Sequence, residues 1–298
     1  MKLPRRTFLH LAAGAAALPA VSCFAWAQAY PTRPVHLIEG FGAGGAPDII
    51  ARLIGQSLSE QLGQSFVIEN RSGASGNIAT DAVARASPDG YTLLLITSTT
   101  NAINTTLYDK LSFDFIRDIV PIASIARAPL VMEVHPSVPA RTVAEFIAYA
   151  KAIPGKVNMA SAGATTQMAG EMFKMMAGLD LFHVPYRGAQ VFPALLAGEA
   201  QVYFGPLLSS IGYVRAGNLR ALAVTTTTRS DVLPDVPVLS DTLPDYEASA
   251  WFGIGAPKST PAELIERLNK EVNISIADPK FKARLANLGG TVLGRLAG

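Results

Sequence analysis

Four short stretches hold residues whose types and spacing suit chemistry. The first is Gly40-Phe41-Gly42-Ala43-Gly44-Gly45, followed by Pro47 and Asp48. It lies between an apolar run and an amphipathic one, a strand–loop–helix setting in which backbone N–H groups at a helix N-terminus attract an anion. The spacing also fits G-x-G-x-x-G, and Glu69 closes the next apolar run, where a ribose-binding acid stands in dinucleotide enzymes. Against that fit, Pro47 opens the helix after all four glycines, so the third glycine of the fingerprint is not inside it. No Tyr-x-x-x-Lys pair occurs either. Three readings stay open: a dinucleotide site, a site for a small carboxylate, and a tight turn. Asp48, in the first helical turn, either complements the helix dipole or accepts from a ligand hydroxyl, amine or bridging water.

The second and third stretches are Thr97-Ser98-Thr99-Thr100-Asn101 and Ser161-Ala162-Gly163-Ala164-Thr165-Thr166. Both follow strand-like runs and consist of small hydroxyl residues, which orient an anion without neutralising it. Helix capping is the plain alternative for the Ser161 stretch. The fourth is His183-Val184-Pro185-Tyr186-Arg187-Gly188. Here Tyr186 suits closure over a ligand, and Arg187 either pairs with a carboxylate or is a solvated or inter-lobe charge, with the backbone at Arg187 and Gly188 approaching the cleft. Catalytic equipment is sparse. His36 and His135 have no visible partner, no metal-ligand spacing occurs, and G-x-S-x-G is absent.

The elements that must position these stretches alternate along the chain. Apolar runs at 35–38, 66–69, 91–97, 131–134, 157–160, 181–184, 201–204, 219–225 and 252–256 predict strands. Helical periodicity predicts helices at 47–62, 77–86, 143–153, 168–177, 192–197, 209–215, 261–275 and 281–288. In the first, Ile50, Leu53, Ile54, Leu58 and Leu62 form one stripe and Gly63 suits a left-handed stop. Near-continuous apolar strands between helices argue for an α/β fold with doubly wound, parallel sheets. The rhythm breaks twice, at 101–124, which reads as loop, and at 231–249, with Pro234, Pro237 and Pro244. The expectation is one domain from 28–128 plus 249–298 and a second from 129–248, with the ligand cleft between the lobes.

The chain has 298 residues, 49% hydrophobic and 16% charged, which excludes a disordered polymer or coiled coil. Residues 1–27 carry Lys2, Arg5 and Arg6 and no acid, then an apolar run ending in Ala25-Trp26-Ala27. This pattern predicts a signal peptide cleaved after Ala27 and export to the periplasm, with Arg5-Arg6 resembling a twin-arginine motif and a general secretory signal as the alternative. Removing those three cations leaves 22 basic against 23 acidic residues, a near-neutral body without a nucleic-acid footprint. Cys23 is the only cysteine and falls inside the leader, so the mature chain has no disulfide or thiolate chemistry. A lipoprotein reading of Ala20-Val21-Ser22-Cys23 is the weaker alternative. No later run is long enough to cross a membrane as a helix.

Taken in order, these segments resemble the receptors of tripartite tricarboxylate transporters, the Bug-type periplasmic solute-binding proteins. The resemblance runs from Tyr30 to about Gly290 and is carried by Tyr30-Pro31-Thr32-Arg33-Pro34-Val35, by Phe41 to Asp48 with Ala51-Arg52, by Leu62-Gly63-Gln64, Glu69-Asn70-Arg71 and Gly73-Ala74-Ser75-Gly76. Asp89-Gly90-Tyr91-Thr92-Leu93-Leu94, His183 to Gly188, Leu219 to Thr225, Leu233-Pro234-Asp235-Val236-Pro237 and Trp251-Phe252-Gly253 complete it. It implies a type II two-lobed binding-protein fold, no enzymatic activity and no cofactor. It further implies a monomer that binds a small carboxylate and serves a permease of one large and one small subunit, or a sensor protein. The implied ligand contacts are Phe41, Gly42, Ala43, Gly44, Gly45, Asp48, Ser98, Thr99, Asn101, Ser161, Ala162, Gly163, Thr165, Thr166, Tyr186, Arg187 and Gly188. An exported NAD(P)-dependent oxidoreductase is the competing class, resting on the glycine run and Glu69; a ligand-presenting sensor receptor, or a degenerate paralogue without a transport role, is the other alternative.

The chain departs from the family pattern at several points. Ser72 replaces a usual proline, Glu39 stands where an apolar residue is common, and Gly205 where an acid is. Glu39 puts a carboxyl at a buried strand end, costly unless it is paired or neutralised. The loop after Ser161 looks about two residues short and lacks the usual histidine. Relatives also continue for roughly 30 residues beyond Gly298, so apolar surface exposed on the 281–288 side and reduced stability are expected.

Overall fold

Residues 30–293 are described by a computed structural model; the leader residues Lys2, Arg5, Arg6, Cys23 and Ala27 lie outside the described residues, as do 294–298. The chain divides after Thr32, and Arg33 onward forms one compact unit. Its strands are β1 (Val35–Glu39), β2 (Phe66–Asn70), β3 (Thr92–Thr97), β4 (Ile119–Val134), β5 (Asn158–Ser161), β6 (Phe182–Pro185), β7 (Val202–Pro206), β8 (Arg220–Val224), β9 (Ser249–Pro257) and β10 (Thr291–Val292). The main helices are α1 (Ala46–Leu62), α2 (Asn77–Ala84), α3 (Val143–Ala152), α4 (Ala164–Ala177), α5 (Val191–Leu196), α6 (Leu207–Arg215), α7 (Ala262–Ala277) and α8 (Pro279–Asn287).

Helix α1 shows how local sequence sets these elements. Proline in its first turn forfeits an N–H that would have no helical partner. At the other end Gly63 takes φ +68° and returns its N–H to the Ser59 carbonyl. The fully buried face is Ile50, Ala51, Ile54, Gly55 and Leu58, whereas Leu53 and Leu62 are only half-buried. The buried stripe is narrower than the hydrophobic pattern implies, and it is centred on Gly55, which packs closely against Phe66 and Ile68 of β2.

The sheet runs in the order β2-β1-β3-β9-β4-β7-β5-β6, with β8 and β10 also on β4. β1 is parallel to β2 and β3, and β5 is parallel to β6 and β7. Between these parallel parts, β4 and β9 run antiparallel to their neighbours, so the sheet is mixed rather than wholly parallel. These two strands are where the chain crosses and returns, which no βαβ unit requires. β4 spans 16 residues, about 50 Å of extended chain. From Ile119 to Pro129 it pairs with β9, and from Leu130 to Val134 with β7. Two lobes therefore share one strand. Pro121 is accommodated next to a register shift, where a missing ladder donor is tolerated.

The return crossing is tied to β4 by one buried side chain. Thr225 Oγ1 accepts from the Leu130 N–H at 3.0 Å and lies 2.9 Å from the Leu130 carbonyl and 2.7 Å from that of Ala248, to which its proton is donated. Ala248 N–H donates to the Thr225 carbonyl at 3.0 Å. One hydroxyl thus joins both crossings at the point where β4 changes partners.

Each lobe has its own core. Ile38, Val83, Leu94, Ile96, Phe113, Phe115 and Ile119 pack in the first, and Trp251 covers them from the crossover. Val191, Phe192, Leu195, Tyr203 and Leu219 pack in the second. The stretch 101–124 is not plain loop: it includes one-turn helices at Asn104–Leu107 and Phe115–Asp118 before β4 begins. The exposed apolar face expected around α8 is not formed by Phe281 or Leu285, since both are buried.

Candidate functional site

The carboxyl-terminal ends of β1, β3, β5 and β6 deliver the four polar stretches to one cleft between the lobes. After β1 the 40–45 loop turns into α1, and after β3 Ser98 and Thr99 open a wide, π-helical turn (Thr99–Ile103). After β5 the chain needs only Ala162 and Gly163 before α4 begins at Ala164, four residues earlier than its apolar pattern indicates. Thr165 and Thr166 are therefore first-turn residues and not loop. Thr166 Oγ1 accepts from Ala162 N–H at 2.8 Å and donates to the Gly163 carbonyl at 2.9 Å, closing the short turn.

The lobes touch across this cleft. Thr165 Oγ1 lies 2.9 Å from Ser98 Oγ and 2.8 Å from Thr99 Oγ1, and Thr165 N–H donates to Thr99 Oγ1 at 3.2 Å. Gly188, at φ +52°, sits so close to Gly42 that an added Cβ would lie 2.7 Å from the Gly42 nitrogen. It is the backbone at 187–188 that meets the first lobe, while the Arg187 side chain is exposed.

Phe41 divides the cleft in two. Its ring lies between Gly76 of one lobe and Gly163 of the other, where a Cβ would stand 3.4 and 2.9 Å from ring atoms. The inner chamber is lined by Phe41, Gly45, Ser98, Thr99, Ala162, Gly163, Thr165, Thr166 and Gly188, and also by Thr97, Ala189, Phe192, Tyr203, Pro206, Ser209, Ala250 and Phe252. The outer chamber is lined by Phe41, Gly42, Ser161, Tyr186, Arg187 and the turn at 72–75, among others. Three helices present their first turns to the inner chamber: α1 through Ala46 and Pro47, α4 through Thr165 and Thr166, and α6 through Ser209. Each helix start carries roughly half a positive charge, so the chamber favours an anion without any cationic side chain.

Four expected contacts lie elsewhere: Ala43, Gly44, Asp48 and Asn101 line neither chamber. Asp48 supports the loop from behind. Its buried carboxylate accepts from Gly44 N–H at 3.0 Å, Arg52 Nε at 2.9 Å and Asn70 Nδ2 at 2.9 Å. These bonds outweigh burial and hold its pKa below the usual range. Asn70 also donates to Glu39, whose other oxygen accepts from Phe41 N–H at 2.7 Å. Burial pushes Glu39 up to about 8, so it is a neutral acid at pH 7. The strand-end carboxyl is thus both hydrogen-bonded and neutralised.

Other titratable groups also have structural partners. Glu69 accepts from Arg71 at 2.7 Å and lies 2.5 Å from His36 Nδ1, which gives His36 a partner. His183 Nε2 is 2.7 Å from Ser161 Oγ, and burial lowers its pKa. Among the described residues, no group of three His, Cys, Asp or Glu is placed to hold a metal, and no helix is long and apolar enough to cross a membrane.

Residues 50–294 match the sequence profile of the family described as the tripartite tricarboxylate transporter family receptor. The chain belongs to this receptor family. Protein BugT of Bordetella pertussis is 34% identical over 272 residues, covering 89% of this chain and 83% of BugT. The solved structure of Rpa4515 from R. palustris with adipate superposes with a TM-score of 0.87 at 37% identity, covering 89% and 91% of the two chains. MatC of Rhodopseudomonas palustris with bound malate superposes at 0.84 and 29% identity, covering 88% and 91%. This receptor shares their two-lobed periplasmic-binding-protein architecture.

The walls that sequence reasoning missed in this receptor are mostly apolar: Phe192, Tyr203, Pro206, Ala250 and Phe252. On a strand or short helix such residues read as core, and only the crossing topology turns them toward the cleft. Tyr203 is the clearest case. Its ring covers Gly205, where a Cβ would lie 2.1 Å from Cε1, and so fills the space a side chain at 205 would need.

Proposed function

We propose that this protein is an exported, non-enzymatic solute receptor that captures a small carboxylate between its lobes and delivers it to a membrane permease. The observation that carries the reading is the inner chamber between the lobes, faced by three helix starts and by the Ser98, Thr99 and Thr165 hydroxyls. Such a surface binds an anion through oriented dipoles and releases it without breaking a full ion pair. Adipate in Rpa4515 and malate in MatC support a carboxylate as the ligand class. In this reading Phe41, Gly42, Gly45, Ser98, Thr99, Ala162, Gly163, Thr165, Thr166 and Gly188 meet the ligand. Ser161, Tyr186 and Arg187 guard the outer chamber, and Ala43, Gly44, Asp48 and Asn101 shape the loops that do so. The lobes are 28–128 with 249–298, and 129–248; the receptor acts as a monomer, and 1–27 is its export signal.

The dinucleotide alternative is not favoured. The Phe41 and Gly44 N–H groups that would cradle a pyrophosphate are taken by Glu39 and Asp48. The test is calorimetric titration with mono-, di- and tricarboxylates, acidic amino acids and NAD(P). Saturable binding of at least one acid, with none of NAD(P), is the expected result. Binding of NAD(P) alone would overturn the reading.

A further inference from the structure

We infer that Asn104 is a positioning residue: from behind the cleft it holds the turn at 73–76, and that turn presets the Phe41 ring for the ligand. The inference rests on the receptor reading and deepens it, by naming what readies the cleft before the lobes close. The backbone of this turn is unusual. Gly73, Ala74, Ser75 and Gly76 have φ of +147°, +46°, +51° and +90° in succession. Glycine takes such angles freely, but in Ala74 and Ser75 the Cβ crowds the following carbonyl. A strained turn of this kind persists only where its surroundings impose it.

Asn104 imposes it. Its side chain is fully buried, and Nδ2 donates to the Ser75 carbonyl at 2.9 Å and to Asn77 Oδ1, at the start of α2, at 2.6 Å. Its own Oδ1 is buried with no partner. A leucine of similar size would avoid that cost, so the two donated bonds are what the amide supplies. The turn so held closes on Phe41. A Cβ on Gly76 would lie 3.4 Å from ring atoms Cε2 and Cζ and 2.6 Å from Thr100 Cγ2, and one on Gly40 would lie 2.5 Å from the Gly76 Cα. The other edge of the ring, at Cε1, faces Gly163 of the second lobe. Asn104, the turn, Thr100 and Phe41 all belong to the first lobe, so the ring keeps its backing on that side when the lobes part. Fixed in advance, it meets Gly163 on closure at a smaller ordering cost, and such preorganisation adds affinity.

Two measurements on the intact chain test this. In the ligand-free protein, NMR of isotope-labelled phenylalanine follows the Phe41 ring, its signals assigned by their loss in Phe41→Ala. Asn104→Ala should move those signals toward a free, mobile ring and leave in place those of Phe113 and Phe115 in the first-lobe core. Phe41 signals that stay, or that move only together with those of Phe113 and Phe115, would overturn the inference. Calorimetry with benzoate, adipate, malate and citrate then reads the coupling between the two residues. For each acid that binds, Asn104→Ala should weaken binding about tenfold in the wild type, or about 1.4 kcal/mol, and less than about twofold in Phe41→Ala. An equal loss in both backgrounds would overturn this inference and leave the receptor standing. No binding of any acid to the wild type would overturn the receptor reading, and this inference with it. If Asn104→Ala does not fold, Asn77→Ala, which removes one of the two acceptors holding the amide, decides by the same pair of measurements with smaller changes of the same pattern.

Discussion

Glu39 gives a prediction whose size follows from its surroundings. Its carboxyl is fully buried, bonded to Phe41 N–H and to Asn70, and raised from 4.5 in the free side chain to about 8. For an acid raised on folding, the folded state holds a proton that the unfolded chain releases. The stabilisation is therefore fully present below about 4.5 and lost as pH rises toward 8. Within that window one such group costs about 1.4 kcal/mol per pH unit. For a protein of this size that is roughly 3–6 °C in Tm per pH unit. Glu133, wholly buried on β4 and also raised to about 8, adds a second step of the same sign. His183, lowered by burial, acts oppositely but only up to its unfolded value near 6.5. A Glu39→Gln variant cancels these shared contributions by difference. Thermal melts of both proteins at pH 5.5, 6.5 and 7.5 should show the wild type losing about 1.4 kcal/mol per unit relative to the variant. Parallel curves would refute the argument, because they would mean Glu39 is already ionised in the folded protein.

Two further outcomes follow from the crossings and the cleft. Gly188→Ala places a Cβ against the Gly42 backbone, so closure is blocked while each lobe stays intact; ligand affinity should fall about tenfold or more, with backbone strain costing the unliganded protein only about 1–2 kcal/mol. Calorimetry and melting on the same sample check both halves, and unchanged affinity would contradict the contact. Thr225→Val leaves the Leu130 N–H and the Ala248 carbonyl unpaired in the interior and should cost about 2 kcal/mol, read as a Tm lower by roughly 4–8 °C. A variant melting with the wild type would mean the hydroxyl is dispensable at the crossing.

Much of the scaffold was legible because its causes are local. Pro47 and Gly63 bracket α1, and the Val- and Leu-rich runs mark strands such as β1 and β3 whatever their neighbours do. The contact of Ser98 and Thr99 with Thr165 was only half legible: small hydroxyl residues after a strand cap a helix as readily as they face a ligand, and their meeting across the lobes depends on the crossing strands. Asp48 stayed open between two roles because its helical position is the same whether its carboxylate faces a ligand or its own loop; its bond to Asn70, 22 residues on, could not be read from the sequence. The start of α4 was hidden because its first turn carries Ala164, Thr165 and Thr166, which contribute nothing to an apolar stripe. Phe192, Tyr203 and Phe252 were invisible as a site for the opposite reason. They satisfy every rule for core residues, and the wall they form exists only once β4 and β9 bring the two lobes face to face.

The order of strands has a consequence in time. β9 lies between β3 and β4 in the finished sheet, yet the ribosome makes it more than a hundred residues after either. Until it arrives, the first lobe has β1, β2 and β3 with an open edge, and the first half of β4 has no partner on that side. The second lobe, made without interruption from Leu130 to Val224, needs no such delay. The lobe that the chain starts is therefore the one it finishes last, and its closing contacts span long separations, which form slowly. Folding of the whole waits on the end of synthesis: a partly made chain holds one completed lobe and one waiting half-sheet, a form with an unpaired edge that invites association until about the last sixth of the chain, from Ser249, is in place.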